Sequence, residues 1–346
     1  MSAEKKTEIT PVLTKSGSPP ELRLILDHGS APRMPYHPRE RSEKLFTVHH
    51  GQRKLFLALL DFLNETVQRT GKRNGVFLYV GAAPGTNIAW IAKHFYPEFD
   101  YHLYDPAPFA KACSDRKNIF VYNELFTDKA CTEWAKKFDG STPHANPSDG
   151  PASASRVPHI FMSDIRYNES TAKGKFHHTD KPAEEADDDM ILQDGWVRKL
   201  KPDLASLKFR CPWIPGTIKY LDGEIHLQAY APLSSTEARL IVDDPTSFTT
   251  YDNKTYEDEM FYFNSIDRSA KQFAPVMAGI QLPSLDEFPE VQTQTHRDAG
   301  AYERLHEYVV LYRYWKLYGL DDAMAKKYAF KNIAQMNKTL GVTPRK

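Results

Sequence analysis

The sequence predicts an α/β protein built on a doubly wound, mostly parallel sheet with an antiparallel edge element. Three observations predict it. Residues 76–80 (VFLYV) form an uncharged β-branched, aromatic and aliphatic run, which reads as a buried parallel strand. The chain then turns through Gly81-Ala82-Ala83-Pro84-Gly85, after which Ile88, Ala89, Ile91, Ala92 and Phe95 recur at helical intervals. Strand and helix patterns alternate through the first half, whereas strands follow one another directly in the second.

The elements can be justified in chain order. Residues 1–30 mix charges with Pro, Ser and Gly and lack sustained periodicity, which predicts a mobile N-terminal arm ahead of one domain over 31–346. An amphipathic helix is expected from about Gln52 to Arg69, with Leu55, Leu59, Phe62, Leu63 and Thr66 near one stripe. Lys54 then falls in its first turn, where a cation opposes the helix dipole, so it either reaches solvent or is placed for a task. The strand at 76–80 and its helix follow, then a second strand ending at Asp105 (DYHLYD) and a third within KNIFVYNELF. A helix near Lys129 to Phe138 comes next.

Polar insertions near 139–158 and 167–186 read as surface loops. The second carries Lys173, Lys175, His177 and His178 and leaves a fourth strand (HIFMSDIR) that is apolar until Asp164. ADDDMILQDGWVRKL is a helix with acids early and bases late, matching the dipole at both ends. PDLASLKFRCPW is a strand with Lys208 in its middle, and EIHLQAYAPLSSTEARLIVDD holds two more, the second bearing Glu237 and Arg239. An aromatic-rich helix (AYERLHEYVVLYRYWKLYG) is expected to pack beside the sheet.

Composition restricts function more than it suggests one. The 45 basic and 45 acidic residues balance, so no global field attracts a polyanion and any nucleic-acid affinity must rest on local patches. Cys113, Cys131 and Cys211 make no C-x-x-C pair and no evident disulfide framework, which suits a reducing compartment. There is no H-E-x-x-H, and the His49-His50 and His177-His178 doublets lack metal-ligand spacing, so no metal is expected. MSAEKKTEIT has no apolar signal region and no run is long enough to cross a bilayer, which predicts a soluble, cytoplasmic protein with no membrane partner.

The glycine loop carries the chemistry. In open α/β sheets ligands sit beyond the carboxyl ends of the strands, where free N–H groups at a helix N-terminus face them. Asp105, 24 residues after Gly81 at a second strand end, can accept hydrogen bonds from both hydroxyls of an adenosine ribose. The loop lacks the middle glycine of G-x-G-x-x-G that lets a pyrophosphate approach, so a nucleoside-containing cofactor without a diphosphate is expected, and NAD is disfavoured. A tight turn with no ligand is the alternative. Elsewhere Lys54, Asp164, Lys208 and Glu237 each interrupt or border an apolar element. Charges are almost never buried singly, so they form either structural ion pairs or a shared site.

Six stretches extend this reading: GQRKLF, YVGAAPGT, FMSDIR, SLKFRCPW, APLSSTEARL and YEDEMFYFN, in one order between about residues 36 and 315. Through them the chain resembles the poxvirus cap-specific mRNA (nucleoside-2′-O-)-methyltransferases, which also serve as the stimulatory subunit of the viral poly(A) polymerase; it reads as a homologue from a large DNA virus. The resemblance implies a Rossmann-like S-adenosylmethionine-dependent methyltransferase fold. It also implies methylation of the ribose 2′-OH of the first transcribed nucleotide of m7G-capped mRNA, with S-adenosylhomocysteine as product and no metal. The partners it implies are capped mRNA and a poly(A) polymerase catalytic subunit, in the host cytoplasm or virion.

Carried over by position, the resemblance makes Lys54, Asp164, Lys208 and Glu237 a catalytic tetrad. The cofactor would meet Gln52, Tyr79, Gly81, Ala82, Pro84, Gly85, Asp105 and Leu125, together with Asp164. Cap and RNA would meet Tyr36, Arg210, Trp213 and Glu257, the rings stacking on the flat cationic base and the carboxylate taking its N–H edge. Arg33, Arg39, Arg41, Lys44, Lys173 and Lys175 could follow phosphates. Three positions depart from the family pattern: Ala107 stands in place of an arginine, Pro215 of an acid and Ser234 of a tyrosine. An amine with an ordinary pKa near ~10.4 is a poor base, so Lys208 either takes the hydroxyl proton or orients the hydroxyl. Two other functions stay open, a non-catalytic RNA-gripping subunit of a poly(A) polymerase and a 2′-O-methyltransferase of internal rRNA or tRNA ribose.

Overall fold

The computed structural model describes residues 19–37, 48–139, 157–165, 183–232, 235–287 and 300–339. In chain order the elements begin with β1 (Ile25–Leu26), α1 (Val48–Thr70), β2 (Gly75–Val80), α2 (Thr86–His94), β3 (Phe99–Tyr104), α3 (Lys111–Ser114), β4 (Ile119–Tyr122) and α4 (Asp128–Phe138). They continue with β5 (His159–Ser163), α5 (Ala183–Leu200), β6 (Leu204–Phe209), β7 (Thr217–Leu221), β8 (Glu224–His226), β9 (Ala238–Val242) and β10 (Phe248–Asp252). Last come α6 (Asn253–Tyr262) with a π-helical turn at Phe263–Asp267, the short β11 (Val276–Met277) and β12 (Ile280–Gln281), a 3-10 turn at Leu285–Glu287, α7 (Ala301–Leu317) and α8 (Asp322–Thr339).

Eight strands form one sheet in the order β4-β3-β2-β5-β6-β9-β8-β1. The five from β4 to β6 are parallel, and every residue of β2, β5 and β9 is buried, the mark of strands covered on both faces. On one side α1 packs against α2 and α7, with α8 outside α7, while α4 and α5 pack together. Strand order reverses between β2 and β5, which opens the crevice where α/β sheets hold ligands. β9 runs antiparallel to β6, with Lys208 opposite Arg239 and Phe209 opposite Ala238. The amino end of β9 therefore lies at the carboxyl end of the parallel strands, and Glu237 reaches the same edge as Asp105 and Asp164.

Two expectations need correction. The second part of the expected arm is instead built into the sheet: Leu22 and Leu26 are buried, and Ile25 pairs with His226 on β8. Burying two leucines and closing an otherwise open edge outweighs the polar composition that suggested mobility. Residues 1–18 lie outside the described residues, as do Arg39, Arg41, Lys44, Lys173, Lys175, His177, His178 and Ser234. The first helix begins at Val48 rather than near Gln52, so Lys54 is not in the first turn and is spared most of the dipole penalty. The antiparallel β7–β10 ribbon, α6 and α8 are additions to the expected elements.

Candidate active site

The glycine loop is shaped by its own neighbours. Gly81 has φ 82°, and a Cβ there would stand 2.7 Å from the carbonyl oxygen of Asp164. Gly85 has φ 74°, and its Cβ would stand 2.7 Å from Cys113 Sγ. Both glycines are thus required before any ligand is considered, and Gly81 brings the loop directly against Asp164, the residue that follows β5. Asp105 follows β3 and stitches the loop: Oδ2 accepts from the Ala83 N–H at 3.0 Å and Oδ1 from the Ala107 N–H at 2.8 Å. Burial raises its carboxyl pKa, and the two backbone donors oppose that shift. Each oxygen keeps a second lone pair for a further donor, so a vicinal diol still fits.

Around this loop the other expected cofactor residues take distinct positions. Ala82 and Pro84 lie within it, and the buried Tyr79 is one residue from the end of β2. Gln52, in α1, accepts from Asn87 Nδ2 at 3.0 Å, tying the first turns of α1 to the N-terminus of α2. Leu125, past β4, is 65% exposed, as an apolar wall for a flat base would be before the base covers it.

The four charged residues of the expected tetrad come together. Lys208 Nζ donates to Asp164 Oδ1 at 2.9 Å and stands 3.3 Å from Glu237 Oε2, while Lys54 Nζ donates to Glu237 Oε1 at 2.6 Å. Two residues join them that sequence reasoning left without a role. Arg239, buried two positions beyond Glu237, places Nη2 3.0 Å from Asp164 Oδ1 and donates from Nη1 to the Ser163 carbonyl at 3.1 Å. Gln228, with its amide oriented as its neighbours require, donates to Glu237 Oε1 at 3.3 Å and accepts from Arg239 Nε at 3.2 Å. Burial alone would raise the Asp164 carboxyl pKa, but Arg239 and then Lys208 outweigh it and hold the group below the usual carboxylate range. The cluster therefore holds three cations against two carboxylates. An arginine at i+2 from Glu237, on the same face of an otherwise apolar strand, was the available signal.

The helix that supplies Lys54 is anchored on both sides of it. Arg53 makes a two-pronged pair with Glu307 of α7 at 2.8 and 2.6 Å. Two turns on, Asp61 meets His226 Nδ1 of β8 at 3.0 Å. Burial opposes the charge on His226, but its hydrogen bonds to Asp61 and Glu224 prevail and lift the imidazolium pKa to about 9.

The expected cap residues gather beside α6. Trp213, 43% exposed, lies past β6, with its ring centroid 5.4 Å from that of Tyr36 and the planes at 89°. Intercalating a flat base needs near-parallel rings about 7 Å apart, twice the ~3.5 Å contact distance, so one ring must rotate to accept it. Arg210 stands 6.0 Å from the Trp213 ring. Glu257, on α6, accepts from Lys254 Nζ at 2.8 Å. Among the described residues no group of three or more His, Cys, Asp or Glu side chains could hold a metal ion, and no helix is long and apolar enough to cross a membrane.

A family model described as "Poly A polymerase regulatory subunit" matches residues 31–337. The chain belongs to that family. Among its relatives, the cap-specific mRNA (nucleoside-2′-O-)-methyltransferase of Myxoma virus (strain Lausanne) is 31% identical over 234 residues, covering 64% of this chain and 62% of the relative. The protein of the same name from Fowlpox virus (strain NVSL) is 27% identical over 230 residues, covering 62% and 67%. The chain thus spans about three fifths of the length of the Myxoma virus relative. Two solved structures are distantly similar: bluetongue virus VP4, described as a multifunctional RNA-capping production line (15% identity, TM-score 0.43, 71% of this chain and 35% of that one), and human methyltransferase-like protein 13 in complex with SAH (8%, 0.29, 69% and 99%). At those scores neither likeness says anything further about this chain.

Proposed function

We propose that the protein transfers a methyl group from S-adenosylmethionine to the 2′-oxygen of the first transcribed nucleotide of m7G-capped mRNA. The observation that carries this reading is the part-buried Lys54–Glu237–Lys208–Asp164 chain of contacts, set against the glycine loop where Gly81 approaches Asp164. Charges at this density are costly to bury, and apolar residues would stabilise the sheet edge better. The names of the poxvirus relatives agree with it.

The cofactor's fit rests on Asp105, whose carboxylate retains acceptor capacity beside the loop, on exposed Leu125 past the next strand, and on Gln52 of α1, hydrogen-bonded to Asn87 at the start of α2. When bound, S-adenosylmethionine supplies an electrophilic methyl on sulfur. The remaining work falls to this chain's side chains. Lys208 holds the ribose 2′-oxygen through an N–H donor and fixes the line of attack, since Asp164 and Glu237 restrain its ammonium from two sides. Arg239 occupies part of the Asp164 charge, and Lys54 part of that of Glu237. The surplus positive charge then stabilises negative charge developing on the 2′-oxygen as its O–H bond breaks and the O–CH3 bond forms. The proton leaves the hydroxyl for solvent as the S–CH3 bond breaks, or for Lys208 Nζ once the closed complex has released one of the ammonium's own protons to solvent.

Tyr36, Trp213 and Glu257 form the proposed cap-base site, and Arg210 stands where it can meet a phosphate. The segment around β1 and the chain after it act as one methyltransferase domain, and a poly(A) polymerase catalytic subunit is the proposed protein partner. The test is transfer of labelled methyl to short RNAs ending in m7GpppN, GpppN or triphosphate. Transfer confined to the m7G-capped RNA is expected; equal transfer to all three would favour internal ribose as the substrate. No transfer by folded protein that still stimulates a poly(A) polymerase would favour the non-catalytic reading.

A further inference from the structure

We infer that α6 is the scaffold of the aromatic site, with Asn253 and Glu259 as its positioning residues; this rests on the cap-site reading of Tyr36 and Trp213. Neither Asn253 nor Glu259 reaches the exposed face of those rings, and neither would touch the base. Asn253, in the first turn, grips the loop that carries Trp213: its Nδ2 donates to the Ile214 carbonyl at 3.0 Å, and its backbone N–H donates to the Gly216 carbonyl at 3.0 Å. Both asparagine and loop are thereby fixed at the end of the β7–β10 ribbon, where Thr217 pairs with Asp252.

Glu259 performs the matching task for the segment that carries Tyr36. Its side chain is fully buried. Oε2 meets His28 Nδ1 at 2.8 Å and Oε1 accepts from the Gly29 N–H at 2.8 Å, while the Asp252 N–H donates to His28 Nε2 at 3.3 Å. With Nε2 accepting, Nδ1 carries the proton and donates to the carboxylate. From this latch residues 28–36 run along the same helix. Arg33 donates to Thr255 Oγ1 at 3.1 Å, the Met34 N–H to the Asp258 carbonyl at 3.3 Å, and the Tyr36 N–H to Asp258 Oδ1 at 2.9 Å. The Tyr36 ring then rests edge-on against Phe261, at 5.2 Å. Glu257 belongs to the same helix. All three proposed cap groups therefore take their positions from one ten-residue element.

The arrangement also explains a cost. A buried carboxylate such as Glu259 is expensive unless its lone pairs are used, and here a backbone N–H and an imidazole N–H use them. Its partners lie some 230 residues away in sequence, so the bond closes the N-terminal segment onto the domain. Loosening either grip leaves the rings present but no longer held beside one another, so binding must bring the two segments together as well as turn one ring. That added ordering weakens the apparent affinity.

The test uses the full chain and the dinucleotide m7GpppG, followed by calorimetric titration and by steady-state methyl transfer to capped RNA. His28→Ala and Glu259→Gln release the Tyr36 segment, Asn253→Ala releases the Trp213 loop, and Trp213→Ala is the direct control. The expected result for each of the three positioning variants is a five- to thirtyfold rise in the KM for capped RNA and in the dissociation constant for m7GpppG. kcat at saturation and cofactor affinity should stay within about twofold, and Asn253→Asp, which keeps one acceptor but loses the Nδ2 donor, should behave like the alanine. Equal falls in kcat and cofactor affinity, or unchanged KM in all three while Trp213→Ala raises it, would overturn the positioning role alone. If Trp213→Ala leaves m7GpppG affinity unchanged, the cap-site reading fails. Should Glu259→Gln not fold, His28→Ala, at a partly exposed position, tests the same latch.

Discussion

Replacing Lys208 by alanine separates catalysis from structure. The substitution removes a 2.9 Å hydrogen bond to Asp164 and a 3.3 Å contact with Glu237. Yet Asp164 keeps Arg239 at 3.0 Å and Glu237 keeps Lys54 at 2.6 Å, so neither carboxylate is left without a cation. The cost to folding should then lie well below the ~3–5 kcal/mol of breaking a buried pair outright. It should be nearer the ~1.5–3 kcal/mol of one hydrogen bond to a charged group, a fall of a few degrees in Tm. Activity should respond far more. Loss of a positioned proton-handling group costs on the order of 10²–10⁴ in rate, or ~3–5 kcal/mol of transition-state stabilisation. Single-turnover methyl transfer, thermal unfolding and calorimetric titration with S-adenosylmethionine measure the three quantities on one sample. A folded variant that binds cofactor normally and has lost at least a hundredfold in rate is expected. An unfolded variant, or one whose loss of activity equals its loss of cofactor affinity, would refute the reasoning and make the cluster a structural ion-pair network.

Three further outcomes follow from the same geometry. Asp105→Ala removes the acceptor of the Ala83 and Ala107 N–H groups as well as the proposed ribose ligand, and should weaken S-adenosylmethionine binding by roughly 10- to 100-fold in calorimetry while leaving m7GpppG affinity alone. Gly81→Ala forces a Cβ to within 2.7 Å of the Asp164 carbonyl at φ 82°, so denaturant titration should find it destabilised by more than ~1 kcal/mol, and turnover should fall because Asp164 shifts. His226 has its pKa raised from an ordinary 6.5 to about 9, so its stabilising contribution is fully present below 6.5 and is lost as pH rises through about 9. Wild-type stability should therefore fall across that window by up to ~3 kcal/mol, and His226→Gln should flatten that part of the stability–pH curve; a parallel curve would show that the pair is not coupled to folding.

The central strands were legible because parallel strands covered on both faces are continuous apolar runs, and 76–80, 159–163 and 204–209 stand out for that reason. Charges inside or bordering such runs were equally visible, which is why Lys54, Asp164, Lys208 and Glu237 could be singled out before their contacts were known. What sequence did not show was pairing across long separations. β1 is two residues long and becomes a strand only because β8 offers an open edge, so no local period betrays it. The β7–β10 ribbon alternates exposed and buried positions within polar surroundings, a weak pattern over five residues. Arg239 was read as part of a strand, but its partner Asp164 lies 75 residues earlier, just past a strand not adjacent to β9. Gln228 sits between Glu237 and Arg239 only after β8 and β9 have paired. The glycines of the loop were legible as glycines, yet their immediate reason is the close approach of Asp164 and Cys113.

The account stands most directly on where the methyl group goes. Digestion of m7G-capped RNA after reaction with labelled S-adenosylmethionine, followed by mass analysis of the released cap, locates it. Label on the 2′-oxygen of the first transcribed nucleotide, absent from the product of the Lys208→Ala protein, is the predicted result. Label on internal riboses or on a base, or transfer by the Lys208→Ala protein at the wild-type rate, would contradict it.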